Sequence, residues 1–189
     1  AYNVTNEGGV ENTIRLLKNL GGLWVVQECR RVWAQQGQEY SYAELTQLAA
    51  NASPFAALID PDDASFLAPG DMPARLVDFC QRTGQRPPES KGEFIRAALE
   101  SLALKYRWVV EKLEELIERP IEVVHIVGGG TQNKLLNQFA ANATGRRVVA
   151  GPIEATAIGN ILLQMLALGQ ISSLSEGRAE VRRSFPVET

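Results

Sequence analysis

The tightest constraint on this chain is the order of glycines and apolar runs in its last third. Residues 122–127 form a β-rich run that ends on three consecutive glycines, Gly128, Gly129 and Gly130. Residues 132–143 then carry Leu135, Leu136 and Phe139 as the inward positions of a helix. A second strand follows at 147–150 and turns at Gly151 and Pro152. Residues 154–168 read as a large helix that ends at Gly169, and 172–182 as a short charged surface helix. Strands that alternate with helices favour parallel pairing, because the crossover returns the chain to the same end of the sheet. The expected class is α/β.

Upstream, the clearest element is a long helix opened by Ser90 with Glu93 three residues later, a capping box. Phe94, Ala98, Leu102, Tyr106, Val109, Leu113 and Leu116 supply its stripe, and Pro120 stops it. Residues 41–88 read as an insertion of short helices. Ser41 and Glu44 form a second capping box, Asp71 opens a helix through Cys80, and Arg86-Pro87-Pro88 ends the segment. Asp60, Asp62 and Asp63 sit in a turn-rich loop without the glycine and glutamate of a calcium loop, so a solvated or capping role is expected.

The first third is read as a short strand over residues 2–6, a turn at Glu7-Gly8-Gly9, and a helix over 13–36 closed by Gly37. Gly21 and Gly22 interrupt that helix. Two glycines inside a helix cost about 1 kcal/mol each, so they imply a bend or the close approach of a backbone or ligand. No strand precedes the first one to pair with it, and no initiator methionine is present, so a piece of a longer protein is expected.

Composition removes several chemistries. The 189 residues carry 19 basic and 22 acidic side chains, a net charge of −3, which argues against a generic nucleic-acid binder. No apolar run is long enough to span a bilayer, and the first residues lack the charge and hydrophobicity of a secretory signal. Cys29 and Cys80 form no C-x-x-C pair and are expected as small buried hydrophobes in a reducing, cytoplasmic setting. His125, the one histidine, lies inside an apolar run and reads as a sheet residue.

The chemistry is expected where the first parallel strand turns into its helix. Glycines let a ligand lie directly on the backbone, and the helix start offers unpaired N–H groups to an anion. A dinucleotide fingerprint fails, because Asn133 stands where its third glycine belongs and no acid ends the next strand. No Walker loop occurs. Ala155, Thr156, Ala157 and Gly159 make the next helix start small, which suits either a flat ring or tight packing.

The run H-I-V-G-G-G-T-Q-N-K-L-L-N-Q-F, with G-R-R-V-V-A-G-P-I-E-A-T-A-I-G-N-I after it, resembles the adenosine-motif region of the FGGY carbohydrate kinases. The segment V-T-N-E-G-G-V-E-N-T-I-R-L-L-K-N-L-G-G-L-W-V-V-Q and the stretch D-P-D-D-A-S-F are similar to the same family. The resemblance implies an actin-like ATPase (ribonuclease-H-like) domain, the second of two, with ATP in the cleft between them and a sugar deeper, mostly on the first. It implies that Gly129 and Gly130 lie against the nucleotide, with Asn133 near the adenosine. It also implies an ATP contact at Gln27 and a contact to the sugar, a ketose, at Asn19.

The family's phosphate motifs, its catalytic aspartate and most ligands of Mg²⁺ match nothing here and are expected upstream, in an N-terminal kinase domain. The isolated chain is therefore expected to be inactive, with an incomplete sheet. Two departures stand out: Gly128 replaces an acid common in the family, and residues 139–143 lack the cysteines that some members carry. The alternatives are a kinase for another sugar or polyol, a non-catalytic actin-like nucleotide-binding domain, and a glycine turn that holds nothing.

Overall fold

The structure, a computed structural model, describes residues 3–189. The chain divides into two compact units after Pro120.

The first unit opens with an antiparallel hairpin of β1 (Thr5–Gly8) and β2 (Ile14–Leu17). This corrects the first third. Residues 14–17 are a strand, and the helix expected over 13–36 begins only at Trp24. The partner of the first strand follows it, in the register Thr5 to Leu17 through Gly8 to Ile14. Glu7 and Gly8 belong to the strand, and the turn lies beyond Gly9, where Glu11 and Asn12 adopt positive φ. Of the strand expected over 2–6, Tyr2 lies outside the described residues.

The helix stops short of residue 23 for a visible reason. Gly22 has φ +54°, and a β-carbon on Gly21 would stand 2.5 Å from the Pro61 carbonyl oxygen. The glycine pair thus serves both a bend and a close backbone approach, ahead of the helix rather than inside it.

Helices α1 (Trp24–Gln35), α2 (Tyr42–Asn51), α3 (Met72–Arg82) and α4 (Lys91–Ile117) build the rest of this unit. Both capping boxes form: Ser41 accepts from the Glu44 amide and Ser90 from the Glu93 amide. Asp71 caps α3 by accepting from Ala74. The core gathers Val25, Cys29, Leu45, Phe66, Met72, Leu76, Ile95, Leu99 and Leu102. Burying a side chain of this kind contributes about 1.5–3 kcal/mol. On α4 the buried face is confined to the first half and centres on Ile95, Leu99 and Leu102. Phe94 is half-buried and Leu116 exposed, so the expected stripe holds only in part.

The aspartate loop is a capping loop, as expected. Asp63 accepts from the Ser65 amide, and Asp60 and Asp62 share Lys105. Buried Glu28 receives two bonds from Arg31 and one from the Gly70 amide, which ties α1 to the start of α3. Cys29 and Cys80 are buried free thiols, and burial raises the pKa of both.

The second unit alternates strand and helix and ends on two helices. β3 (Val123–Ile126) pairs in parallel with β4 (Arg147–Ala150), linked by α5 (Lys134–Thr144). α6 (Ala155–Ala167) and α7 (Leu174–Ser184) complete it. His125 is an exposed strand residue. The end of the chain returns to β4: Ala150 and Glu188 exchange backbone hydrogen bonds at 2.9 and 3.1 Å.

Candidate functional site

The glycine turn sits where β3 ends. Gly128 has φ +79°, a conformation that a side chain resists, and its N–H donates to the Pro152 carbonyl at 3.2 Å. In return the Gly151 amide donates to the Ile126 carbonyl at 2.8 Å. The two strand ends are therefore locked to each other's turns. Residues Gly128–Gln132 form a 3-10 turn, closed by the buried Thr131 hydroxyl, which donates to the Gly128 carbonyl at 2.8 Å. The Asn137 side chain donates to the Thr131 carbonyl at 3.0 Å and fixes the turn to α5.

This bracing leaves one face of the turn clear. A β-carbon at Gly129 would meet nothing within 4 Å, and one at Gly130 only the Ile126 side chain at 3.7 Å. Asn133 starts α5, its side-chain oxygen accepting the Leu136 amide at 3.0 Å. That satisfies one of the helix's orphan donors and leaves the positive end of the dipole at the turn. The turn thus offers open backbone beside a helix start, a surface suited to a nucleotide or another anion.

A pocket of about 400 Å³ adjoins the turn. Thr131, Gln132 and Lys134 form one side, Gly151 to Glu154 a second, and Phe185 with Glu188 a third. Gly129, Gly130 and Asn133 are not among its lining residues. Lys134 pairs with Glu188 at 2.8 Å across its rim. The chain's end as a wall was not foreseen from the sequence, because one antiparallel bridge leaves no periodic signal. The small residues at the start of α6 do not reflect tight packing at Gly159, where a β-carbon would meet nothing within 4 Å.

The other two candidates lie in the first unit. Gln27 is exposed on α1. Asn19 is exposed in the loop between β2 and α1, not on the helix on which the sequence reading placed it, because the helix begins at Trp24. That loop is held from below: the Gly21 amide donates to Asp62 Oδ1 at 2.9 Å, and the Trp24 indole donates to the Phe66 carbonyl at 2.9 Å. Within the loop read as solvated or capping, Asp62 reaches beyond its own turn to the Gly21 amide. The signal that could have exposed it is the glycine pair, which demanded a neighbouring backbone.

Among the described residues no three His, Cys, Asp or Glu side chains group as a metal site, and no helix is long and apolar enough to cross a membrane.

Comparison with known proteins is specific. Residues 1–168 match the C-terminal domain of the FGGY family of carbohydrate kinases. The chain is 49% identical to a rhamnulokinase of Bacteroides thetaiotaomicron over all 189 residues. It is 46% identical to one of Enterococcus faecalis and 42% identical to one of Bacillus subtilis, over 98% of its length in each case. It spans 38%, 37% and 38% of those three relatives. The chain belongs to the FGGY family of carbohydrate kinases, as its C-terminal domain.

Proposed function

We propose that this chain is the nucleotide-binding part of a kinase that moves the γ-phosphate of ATP to the 1-hydroxyl of L-rhamnulose. The observation that carries the reading is the open face of Gly129 and Gly130 beside the start of α5. The names of the relatives support the ketose. Gly129 and Gly130 give the nucleotide a surface without side chains, and Asn133 and Gln27 offer amide groups to its polar edges. Asn19, with a donor and an acceptor, orients a sugar hydroxyl. Positioning of this kind is most of what phosphoryl transfer asks of a protein.

The general base and the remaining phosphate contacts are assigned to an N-terminal kinase domain, in keeping with the 38% of the first relative that the chain spans. Mg²⁺, when bound, neutralises charge on the phosphates, and its protein ligands are assigned to that same domain. On this reading the chain is an actin-like ATPase domain with residues 41–88 as a helical insertion, and its sheet is completed by upstream strands. It works in the cytoplasm, a reading that the two unpaired buried thiols support.

The test is phosphorylation of a panel of ketoses and polyols by the complete kinase that carries this chain. The reading expects L-rhamnulose to be preferred and the chain alone to transfer nothing. Preference for another sugar or polyol would reassign the substrate, and an inert complete protein would leave a nucleotide-binding domain without transfer.

A further inference from the structure

We infer that Asp62 is a positioning residue for the sugar subsite, holding the loop that carries Asn19 through the backbone of Gly21. The inference rests on the assignment of Asn19 to the sugar. Its geometry lies wholly within the first unit.

Asn19 is exposed and stands two residues before the half-buried Gly21, and a side chain on a loop has no fixed direction unless its backbone is held. Here it is held. The Gly21 amide donates to Asp62 Oδ1 at 2.9 Å, while Asp62 Oδ2 faces Lys105 Nζ at 3.1 Å. Lys105 projects from α4, its side chain 17% exposed, and also binds Asp60 Oδ1 at 2.8 Å. A rigid helix thus holds the aspartate loop, and that loop holds the glycine bend.

Gly21 is the residue that allows this contact, since a β-carbon there would collide with the Pro61 carbonyl oxygen at 2.5 Å. Trp24 pins the other side of the bend to the Phe66 carbonyl at 2.9 Å. The two anchors leave the Asn19 backbone a short, fixed lever. Small errors in the placement of such a group weaken substrate binding disproportionately. Lys105 is held more firmly protonated than usual: burial works against its charge, but the bonds to Asp60 and Asp62 outweigh it.

The experiment pairs hydrogen exchange on the chain as it stands with steady-state kinetics of the complete kinase. Asp62→Ala removes the acceptor. It is expected to speed exchange at the Gly21 amide about tenfold. It is also expected to raise the ketose KM about tenfold while the ATP KM stays within about twofold. Asp62→Asn keeps an acceptor oxygen and should restore most of both. Lys105→Met, which leaves the acceptor but removes its support, should fall between and serves if the alanine variant does not fold.

Unchanged exchange at Gly21 in the alanine variant overturns the inference. So does faster exchange with an unchanged ketose KM, provided that Asn19→Ala raises that KM. In that case the sugar assignment stands and only the positioning role falls. If Asn19→Ala leaves the ketose KM unchanged, the sugar assignment itself fails and the positioning role falls with it.

Discussion

The side-chain oxygen of Asn133 accepts the Leu136 amide at 3.0 Å, so the residue assigned to the adenosine also caps the helix that follows. The carboxamide has two ends, and the cap uses only one of them. Asn133→Asp keeps the capping oxygen and replaces the amide donor with a negative charge. It should leave thermal stability unchanged and weaken ADP binding at least about tenfold, because a charged acceptor replaces a donor to an anionic ligand. Asn133→Ala should lose the cap as well, about 1 kcal/mol of stability. Thermal unfolding with ADP titration separates the two, and wild-type affinity in the aspartate variant would remove Asn133 from the site.

Neighbouring glycines should respond in opposite ways. A β-carbon at Gly129 would meet nothing within 4 Å, so Gly129→Val should change stability by no more than about 1 kcal/mol while abolishing ADP binding. Gly128 has φ +79°, and Gly128→Val should cost at least about 1 kcal/mol through backbone strain alone. Chemical denaturation of both variants checks the contrast.

Glu28 is 4% exposed, and its carboxylate takes three hydrogen bonds, two from Arg31 and one from the Gly70 amide. The Arg31 bonds hold its pKa below the ordinary value against the opposing effect of burial. Glu28→Ala strands the half-buried Gly70 amide and an arginine that is 38% exposed and can turn to water. The expected loss is about 2–3 kcal/mol. A double-mutant cycle with Arg31→Ala should recover a favourable coupling between the two residues.

Asp63 should shape the acid limb of stability. Hydrogen bonds from the Ser65 hydroxyl and amide, with Arg82 beyond them, hold its carboxyl down to about 2. The folded value lies below the unfolded one, so the folded chain binds fewer protons and the stabilisation is lost as pH falls. The loss should run from about pH 4 to about pH 2. About 1–2 kcal/mol is expected after solvent screening, since the side chain is 25% exposed. Urea denaturation across that range should show a flatter acid limb in Asp63→Asn than in the wild type.

Local signals were legible and non-local ones were not. Ser41 with Glu44 and Ser90 with Glu93 marked two helix starts, and the strand at Arg147–Ala150 was bounded correctly, because capping and short apolar runs are written in neighbouring residues. The hairpin was missed because Ile14, Leu17 and Leu20 satisfy helical spacing, whereas the bonds that make 14–17 a strand come from Thr5–Gly8. That error moved Asn19 onto a helix. The glycine turn was legible from composition, but its bracing by Gly151, Pro152 and Asn137 depends on residues that meet only in three dimensions.

Calorimetric titration of the folded chain with ADP, with NAD as control, tests whether the turn at Gly129 and Gly130 binds a nucleotide. Saturable ADP binding, no NAD binding, and loss of the ADP signal in Gly129→Val are expected. A folded chain that takes up no ADP, or a Gly129→Val variant that binds it as the wild type does, would contradict nucleotide binding there.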